Sequence, residues 1–502
     1  MNSSILKLQN GSDIRGVAIE GIEGENVNLT SKEANVIGQS FALWLSKNTG
    51  KPAEALTVGI GMDSRLSGPA LADAVAAGLL SAGVSVVNCS LATTPSMFMS
   101  IIFEETKFDG SIMITASHLP FNRNGIKFFN IDGGLEHDDI TAILEKAGGL
   151  EEKSADLTKI KSFDLISLYA DHLVKAIRKG CGCGENEKPL SGLKILVDSG
   201  NGASGFFVDK ILKPLGADTA GSQFLEPDGH FPNHIPNPEN KDAMNSIRNA
   251  VLKNKGDLGL IFDTDVDRMS AVLDSGEEVN RDSIIAMTAA ILAPENPGST
   301  IVTDSVTSDR LTVFLEKNLG LKHLRYMRGY KNVINKQKEL NEKGINCPLA
   351  METSGHGALK ENYYLDDGAY LAVKLIIALA LSSKENKKLS DLISSLEPAG
   401  VEGEFRFKIL TEDFKTYGKE VLETFKERAE SRNLILPESF EGIRISFDLP
   451  ETKGWLLLRL SLHDPVMPLN IEGKDKESFS SIKKIACELL QGFDKLDQSC
   501  LK

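Results

Sequence analysis

Leu56-Thr57-Val58-Gly59-Ile60-Gly61, followed through Met62 by Asp63-Ser64-Arg65-Leu66-Ser67-Gly68, is an apolar run that stops in a polar loop. An apolar run this short, bounded by turn residues, reads as a strand buried on both faces. Leu71, Val75 and Leu79 then recur at helical spacing as far as Gly83, and residues 84–87 are apolar again, giving strand, helix, strand. The plan returns twice. Residues 194–197 close on Asp198-Ser199-Gly200-Asn201-Gly202 and lead into a helix through Phe206, Ile211 and Leu215 to Gly216. Residues 300–303 close on Asp304 and lead into a helix through Leu311, Leu315 and Leu319 to Gly320. Each unit later offers another strand ending in a polar loop: 112–115 before Ala116-Ser117-His118, 258–262 before Asp263-Thr264-Asp265, and 348–350 before Glu352-Thr353-Ser354. In open α/β sheets ligands bind beyond the carboxyl ends of strands, so these loops are the candidates for chemistry. Three unrelated α/β segments would give the same pattern, and the repeat alone leaves both readings open.

Beyond about Pro398 the pattern changes to Phe405-Arg406-Phe407-Lys408 and the stretches 442–449 and 454–460, with two helical stretches between and after them. The expected fold class is α/β: three similar mixed α/β domains plus a smaller C-terminal α+β domain around a central cleft. The expected boundaries are 1–160, 161–278, 279–397 and 398–502. A chain of 502 residues is long enough for several cores.

The composition, 41% hydrophobic and 25% charged, is that of a soluble globular protein. A net charge of -14 argues against a nucleic-acid partner, because phosphate backbones are bound by clustered Lys and Arg. An anionic substrate would need a local positive site. Of the six cysteines only Cys181 and Cys183 lie close, without zinc-type spacing, which points to reduced thiols. The most apolar run, residues 371–381, contains Lys374 and is short of the ~20 residues that cross a bilayer. It is expected to be a buried helix, and no membrane partner is expected. Residues 1–11 have neither a signal peptide's apolar core nor an Arg-rich transit pattern. The expected location is cytoplasmic, with a plastid stroma as the alternative if a transit peptide has been removed.

The first loop, Thr115-Ala116-Ser117-His118-Leu119-Pro120-Phe121-Asn122-Arg123-Asn124-Gly125-Ile126-Lys127, places a hydroxyl, an imidazole and two cations among turn-forming residues. A serine nucleophile needs such company. Adjacent Ser and His also arise as plain loop hydrogen bonding. The second, Asp263-Thr264-Asp265-Val266-Asp267-Arg268, sets three carboxylates at alternate positions, which repel unless a cation neutralises them. Hard oxygen ligands suit Mg²⁺; a calcium loop would need Gly and Glu where Arg268 and Asp274 stand. A solvated acidic turn remains the plain alternative. The third, Glu352-Thr353-Ser354-Gly355-His356-Gly357, offers a carboxylate and a hydroxyl suited to adjacent sugar hydroxyls, or simply a capped turn.

Together the loops resemble the α-D-phosphohexomutase superfamily over nearly the whole chain. Its phosphoserine signature is matched by residues 115–127, with Leu119 in place of an Asn. Its metal loop is matched at every acidic position and at Arg268, with Thr264 in place of a Gly. Its sugar loop is matched by Glu352, Ser354, Gly355 and His356, with Met351 for a Gly. Its N-terminal motif is matched by Asp13-Ile14-Arg15-Gly16, and Arg328-Gly329-Tyr330 resembles a substrate-contacting turn. Residues 459–465 resemble the phosphate loop of the phosphoglucomutase/phosphomannomutase branch, keeping Arg459 and Ser461 while Leu462 and His463 replace an Asn and a Thr. A lysine usual in the third domain's first turn is absent at Ser305-Val306. The Ser-His-Leu-Pro form is similar to plant and algal members.

The resemblance implies an intramolecular phosphotransferase that interconverts hexose 1- and 6-phosphates of glucose and/or mannose through phosphorylated Ser117 and a 1,6-bisphosphate, which is also the activator. It implies one Mg²⁺ per chain, held by Ser117, Asp263, Asp265 and Asp267. His118, Lys127, Arg15, Arg268 and His356 are the implied catalytic residues. Arg328, Gly329, Tyr330, Glu352, Ser354, His356, Arg459 and Ser461 are the implied substrate contacts, with the fourth domain as lid. A monomer or weak dimer acting on small sugar phosphates is expected. Phosphoglucosamine mutase is the alternative enzyme, suggested by residues 124–129, and an inactive sugar-phosphate binder is the alternative from another class.

Overall fold

The structure is a computed structural model and describes residues 3–461 and 464–501. The chain forms two compact units, residues 1–280 with 354–391, and residues 281–353 with 392–502.

In the first unit the opening run becomes the strand Thr57–Met62, flanked in parallel by Ser85–Leu91 and by the wholly buried Gly110–Ile114. Arg123–Asn130 pairs antiparallel with Gly110–Ile114, and Asp13–Val17 pairs antiparallel with Arg123–Asn130. This register sets Arg15 opposite Gly125 and so brings the N-terminal motif beside Lys127. The helix Ser31–Thr49 starts where Thr30 and Glu33 exchange capping hydrogen bonds, and it packs on Gly68–Ser81 with Gly38 close against Val75 and Gly78 against Asn35, while Phe41, Leu45, Val75 and Leu79 belong to the same buried core. Each such buried side chain contributes roughly 1.5–3 kcal/mol.

A second sheet pairs Ile195–Asp198 in parallel with Leu258–Phe262, which turns tightly into antiparallel Met269–Leu273. Here the repeat is cut short. The helix expected through Phe206 and Ile211 is one wide turn, Phe207–Leu212. The strand expected after it is reduced to single bridges at Lys194–Asp218 and Asp198–Gln223. The intervening Asp218-Thr219-Ala220-Gly221-Ser222 has little strand preference. Residues 354–391 supply the hairpin Gly357–Leu359 with Leu365–Asp366 and the helix Gly368–Lys384. That helix is the apolar run at 371–381, with Leu371, Leu375, Ile376 and Leu379 buried and Leu381 exposed.

In the second unit Thr300–Asp304 lies between parallel Lys322–Tyr326 and Leu349–Met351, so the third repeat keeps the strand that the second loses. Its helix is split into Asp309–Val313 and a wider turn, Phe314–Asn318. The C-terminal sheet is antiparallel, in the order Ile443–Leu449, Thr452–Leu458, Val466–Gly473, Val401–Ile409, Leu496–Asp497. The helices Phe414–Ser431 and Lys476–Leu489 pack on it around Phe407, Val421, Phe425, Leu456 and Ile482. It is tied to the 300–351 sheet by buried Arg444, which donates to the carbonyls of Ser305 and Thr307 and to Asp309. Among the described residues none of the six cysteines forms a disulfide, and no helix is long and apolar enough to cross a membrane.

Candidate active site

Ser117 stands just past the strand Gly110–Ile114, with φ of 50°, a left-handed conformation that costs a non-glycine residue on the order of 1–3 kcal/mol. Two residues absent from the sequence-predicted set hold it there. Arg65, fully buried, donates to the carbonyls of Ser117 (2.5 Å), Leu119 (2.6 Å), Pro120 (2.8 Å) and Arg123 (2.9 Å). Asp63 lies 3.3 Å from Arg65 Nε and accepts from Thr115 Oγ1 at 2.7 Å, and that oxygen accepts the Ser117 N–H at 2.9 Å. The one sequence signal for this pair is the charged Asp63-x-Arg65 at the carboxyl end of a buried strand. Arg15 braces the same loop by donating to the Thr115 carbonyl at 2.6 Å.

Asp263, Asp265 and Asp267 sit in the tight turn between Leu258–Phe262 and Met269–Leu273, all buried, each with an oxygen within 4.8 Å of the others'. The turn is closed by the Arg268 N–H donating to Asp263 Oδ1 at 3.2 Å and by Val266 at φ 68°. Gly368 lies so close that a Cβ there would meet the Arg268 backbone at 2.7 Å. Asp263 has both oxygens engaged, Oδ2 accepting from Ser117 Oγ (2.6 Å) besides the Arg268 bond, whereas Asp265 and Asp267 each use one: Thr94 Oγ1 and Lys127 Nζ donate to Asp265 Oδ2 (2.5 and 3.0 Å), and Lys127 Nζ to Asp267 Oδ2 (2.5 Å). Asp265 Oδ1 and Asp267 Oδ1 are buried and accept no hydrogen bond among the described residues. Burial, reinforced by Asp267 and Asp265, holds Asp263 well above the usual carboxylate range. Unpartnered carboxylate oxygens and a carboxyl forced toward its neutral form are what a bound hard cation would relieve, so the residues fit a divalent ion.

His118 Nδ1 lies 3.3 Å from Ser117 Oγ. Burial, with Arg268, His356 and Arg15 nearby, lowers its pKa to about 3, so the ring is neutral at neutral pH. Burial would strip Lys127 of its proton, but Asp265 and Asp267 outweigh it and keep the ammonium charged. Arg268 Nε is 3.9 Å from Asp263 and its Nη1 3.8 Å from Glu239. His356 Nδ1 shares a 2.5 Å hydrogen bond with Asp366 Oδ2 and lies 3.8 Å from Asp267. Ser354 Oγ, in this same unit, is buried and unpartnered among the described residues.

The remaining predicted residues lie in the second unit. The Gly329 N–H, just before the helix Tyr330–Glu342, donates to Glu352 Oε1 at 2.6 Å. Thr353, next to Glu352, is held by Asp304, which accepts its Oγ1–H at 2.8 Å and its N–H at 3.3 Å. Arg328, Arg459 and Ser461 line one pocket of about 440 Å³, together with Arg406, which sequence reasoning missed. Leu462 and His463, the altered positions of the phosphate loop, lie outside the described residues.

Models of phosphoglucomutase/phosphomannomutase α/β/α domains I, II and III match residues 7–153, 167–276 and 280–399. A phosphomannomutase/phosphoglucomutase of Pseudomonas putida is 28% identical over 480 residues, covering 94% of both chains. A phosphoglucosamine mutase of Alkaliphilus oremlandii is 29% identical over 489 residues, covering 97% of this chain and 99% of its own. The crystal structure of a phosphoglucomutase/phosphomannomutase family protein from Burkholderia thailandensis superposes with a TM-score of 0.77 at 26% identity, covering 98% of each chain.

Proposed function

Because the chain belongs to the phosphoglucomutase/phosphomannomutase family of the α-D-phosphohexomutase superfamily, we propose that it is a hexose-phosphate mutase that moves a phosphoryl group between O1 and O6 of glucose and mannose through Ser117. The observation that carries the reading is Ser117 Oγ bonded at 2.6 Å to Asp263 inside a buried cluster of three carboxylates.

Phosphoryl transfer depends chiefly on positioning and on stabilising charge spread over the moving group. In the first half-reaction the bond from phosphorus to Ser117 Oγ breaks while a bond to the sugar's free hydroxyl oxygen forms. The hydroxyl proton must pass to Ser117 Oγ, and neutral His118, 3.3 Å from that oxygen, is placed to hold it on the way. The hexose 1,6-bisphosphate then turns and returns its other phosphoryl group to Ser117; added bisphosphate primes the enzyme by the same step. Lys127, locked between Asp265 and Asp267 and charged, supplies countercharge rather than a base. Arg268 also supplies countercharge, and His356, held by Asp366, is the second proton-carrying candidate. Asp263, Asp265 and Asp267, with the serine oxygen, would hold one Mg²⁺, which when bound supplies positive charge to the oxygens of the transferred group. Glu352 and Ser354 grip the 3- and 4-hydroxyls, and Arg328, Gly329, Tyr330, Arg459 and Ser461 take the remote phosphate, with the C-terminal domain as lid. The enzyme works as a monomer or weak dimer, in cytoplasm or, after loss of a transit peptide, in a plastid stroma.

Turnover of glucose 1-phosphate and mannose 1-phosphate, each with and without hexose 1,6-bisphosphate, tests the reading. Since glucose and mannose share the gripped hydroxyls, discrimination between them should be small, on the order of 10- to 200-fold. Turnover of glucosamine 6-phosphate well above both would favour the alternative carried by the Alkaliphilus oremlandii relative. Absence of turnover with any sugar would leave a binding protein.

A further inference from the structure

The pocket is lined by Arg328, Arg406 and Arg459 together with Asp464. Arg406 is paired with Glu404 at 2.7 Å, and Arg459, with Arg328 beside it, likewise needs a fixed counter-charge to keep its geometry before an anion arrives. Glu441 supplies it. Its Oε2 accepts from Ser305 Oγ at 2.7 Å and from the Arg328 N–H at 2.8 Å, while its Oε1 accepts from Arg459 Nη1 at 3.3 Å. Among the charges around Arg459, Glu441 is the strongest attraction and Arg328 opposes it. Arg459 and Glu441 are both largely buried, with side chains 11% and 18% exposed, so the pair is shielded from the solvent that weakens surface ion pairs. The backbone is built to the same end. Gly442 has φ 66°, and a Cβ there would meet Arg459 Cα at 2.8 Å, so the 441–442 turn lies directly on the arginine it orients.

The three bonds join three separate pieces of the unit: the end of the strand Thr300–Asp304, the turn before the helix Tyr330–Glu342, and the end of the strand Thr452–Leu458. We propose that Glu441 is the positioning residue of the anion pocket, fixing Arg459 and the 328–330 turn in one geometry for the phosphate remote from Ser117. The proposal rests on the reading of Arg459 as a ligand of that phosphate. It has a counter-intuitive consequence. Deleting a carboxylate beside an anion site should tighten anion binding by simple electrostatics, whereas loss of a positioning carboxylate should weaken it.

The test is binding of inorganic phosphate by calorimetry, with steady-state kinetics on glucose 1-phosphate, for the full chain and for Glu441→Ala, Glu441→Gln and Arg459→Ala. Arg459→Ala identifies the phosphate-binding step that belongs to the pocket. Glu441→Ala should weaken that step and raise KM roughly tenfold, with kcat nearly unchanged because the remote phosphate is held alike before and during transfer. Glu441→Gln, which keeps an oxygen for Ser305 and Arg328 but loses the charge facing Arg459, should fall between. If the alanine variant fails to fold, the glutamine variant decides by the same sign. Unchanged or tighter phosphate binding in either Glu441 variant overturns the positioning role. Unchanged phosphate binding and KM in Arg459→Ala overturns the pocket assignment itself, a failure distinguishable from the first.

Discussion

The loop that carries Ser117 and the loop that carries Glu352 hang from the same device, built differently. In each, a buried aspartate at the carboxyl end of a parallel strand accepts a hydrogen bond from a threonine of the functional loop: Asp63 from Thr115, two residues before Ser117, and Asp304 from Thr353, one residue after Glu352. Burial raises the pKa of both. Asp63 has Arg65 at 3.3 Å, and that arginine's other N–H groups gather the loop carbonyls, so this clamp is charge-compensated. Asp304 instead faces the like charge of Glu352, opposed by Arg328, and its pKa rises to about 7. A loop that must hold a strained serine is clamped by an internal ion pair. The loop of Glu352, proposed above as a sugar ligand, is clamped by a single carboxyl raised toward neutrality.

Arg65→Met should be the most damaging way to break this contrast. It leaves Asp63 buried without a counter-ion and releases four carbonyls, and loss of one partner from a buried pair costs about 3–5 kcal/mol. Denaturant unfolding measures that loss, and slower phosphorylation of Ser117 should accompany it; a variant as stable as the parent would show that the clamp does not carry the loop.

Asp263→Asn, or excess EDTA, tests the centre that the first clamp serves. Activity should fall 10²-fold or more, the equivalent of several kcal/mol of charge stabilisation. The fold should survive Asp263→Asn, because removing one of three crowded carboxylates also relieves repulsion. Full activity in EDTA would refute the divalent-ion reading.

Asp304 gives the smallest and most specific effect. Its folded pKa, about 7, lies above that of an unfolded aspartate, so the folded state retains a proton that the unfolded state has released. Its contribution is therefore complete below pH 4 and is lost as pH rises toward 7, at up to about 1.4 kcal/mol per pH unit. Asp304→Asn lacks this slope, so the stability of the parent relative to the variant should decline between pH 5 and pH 7. Asp63→Asn should show a shallower version of the same trend, because Arg65 opposes the burial of Asp63. Parallel pH profiles for parent and Asp304→Asn would remove the contrast between the clamps.

Legibility in the sequence followed how locally each feature is encoded. The strand that opens the repeat, the alternate carboxylates of 263–267 and the serine–histidine pair each sit in one short window, and all could be read there. The second repeat's missing strand was misread because the shared plan was extended over Asp218-Thr219-Ala220-Gly221-Ser222, residues too weak in strand preference to complete it. The partners that give the site its geometry were invisible for another reason. Thr94 reaches Asp265 across 171 positions, Arg65 reaches the Ser117 carbonyl across 52, and Glu441 reaches Arg328 across 113. In the sequence such residues look like ordinary caps and turn residues. Lys127 stands in the sequence as one implied catalytic residue among five, and only its bonds to Asp265 and Asp267 show why it keeps its charge.

The most direct test of the account is the chemical state of Ser117 itself. Peptide mass spectrometry of the intact enzyme after incubation with hexose 1,6-bisphosphate should find one phosphoryl group, on Ser117, and Ser117→Ala should lose both the group and turnover. Normal turnover by Ser117→Ala, or a phosphoryl group on another residue with Ser117 unmodified, would contradict it.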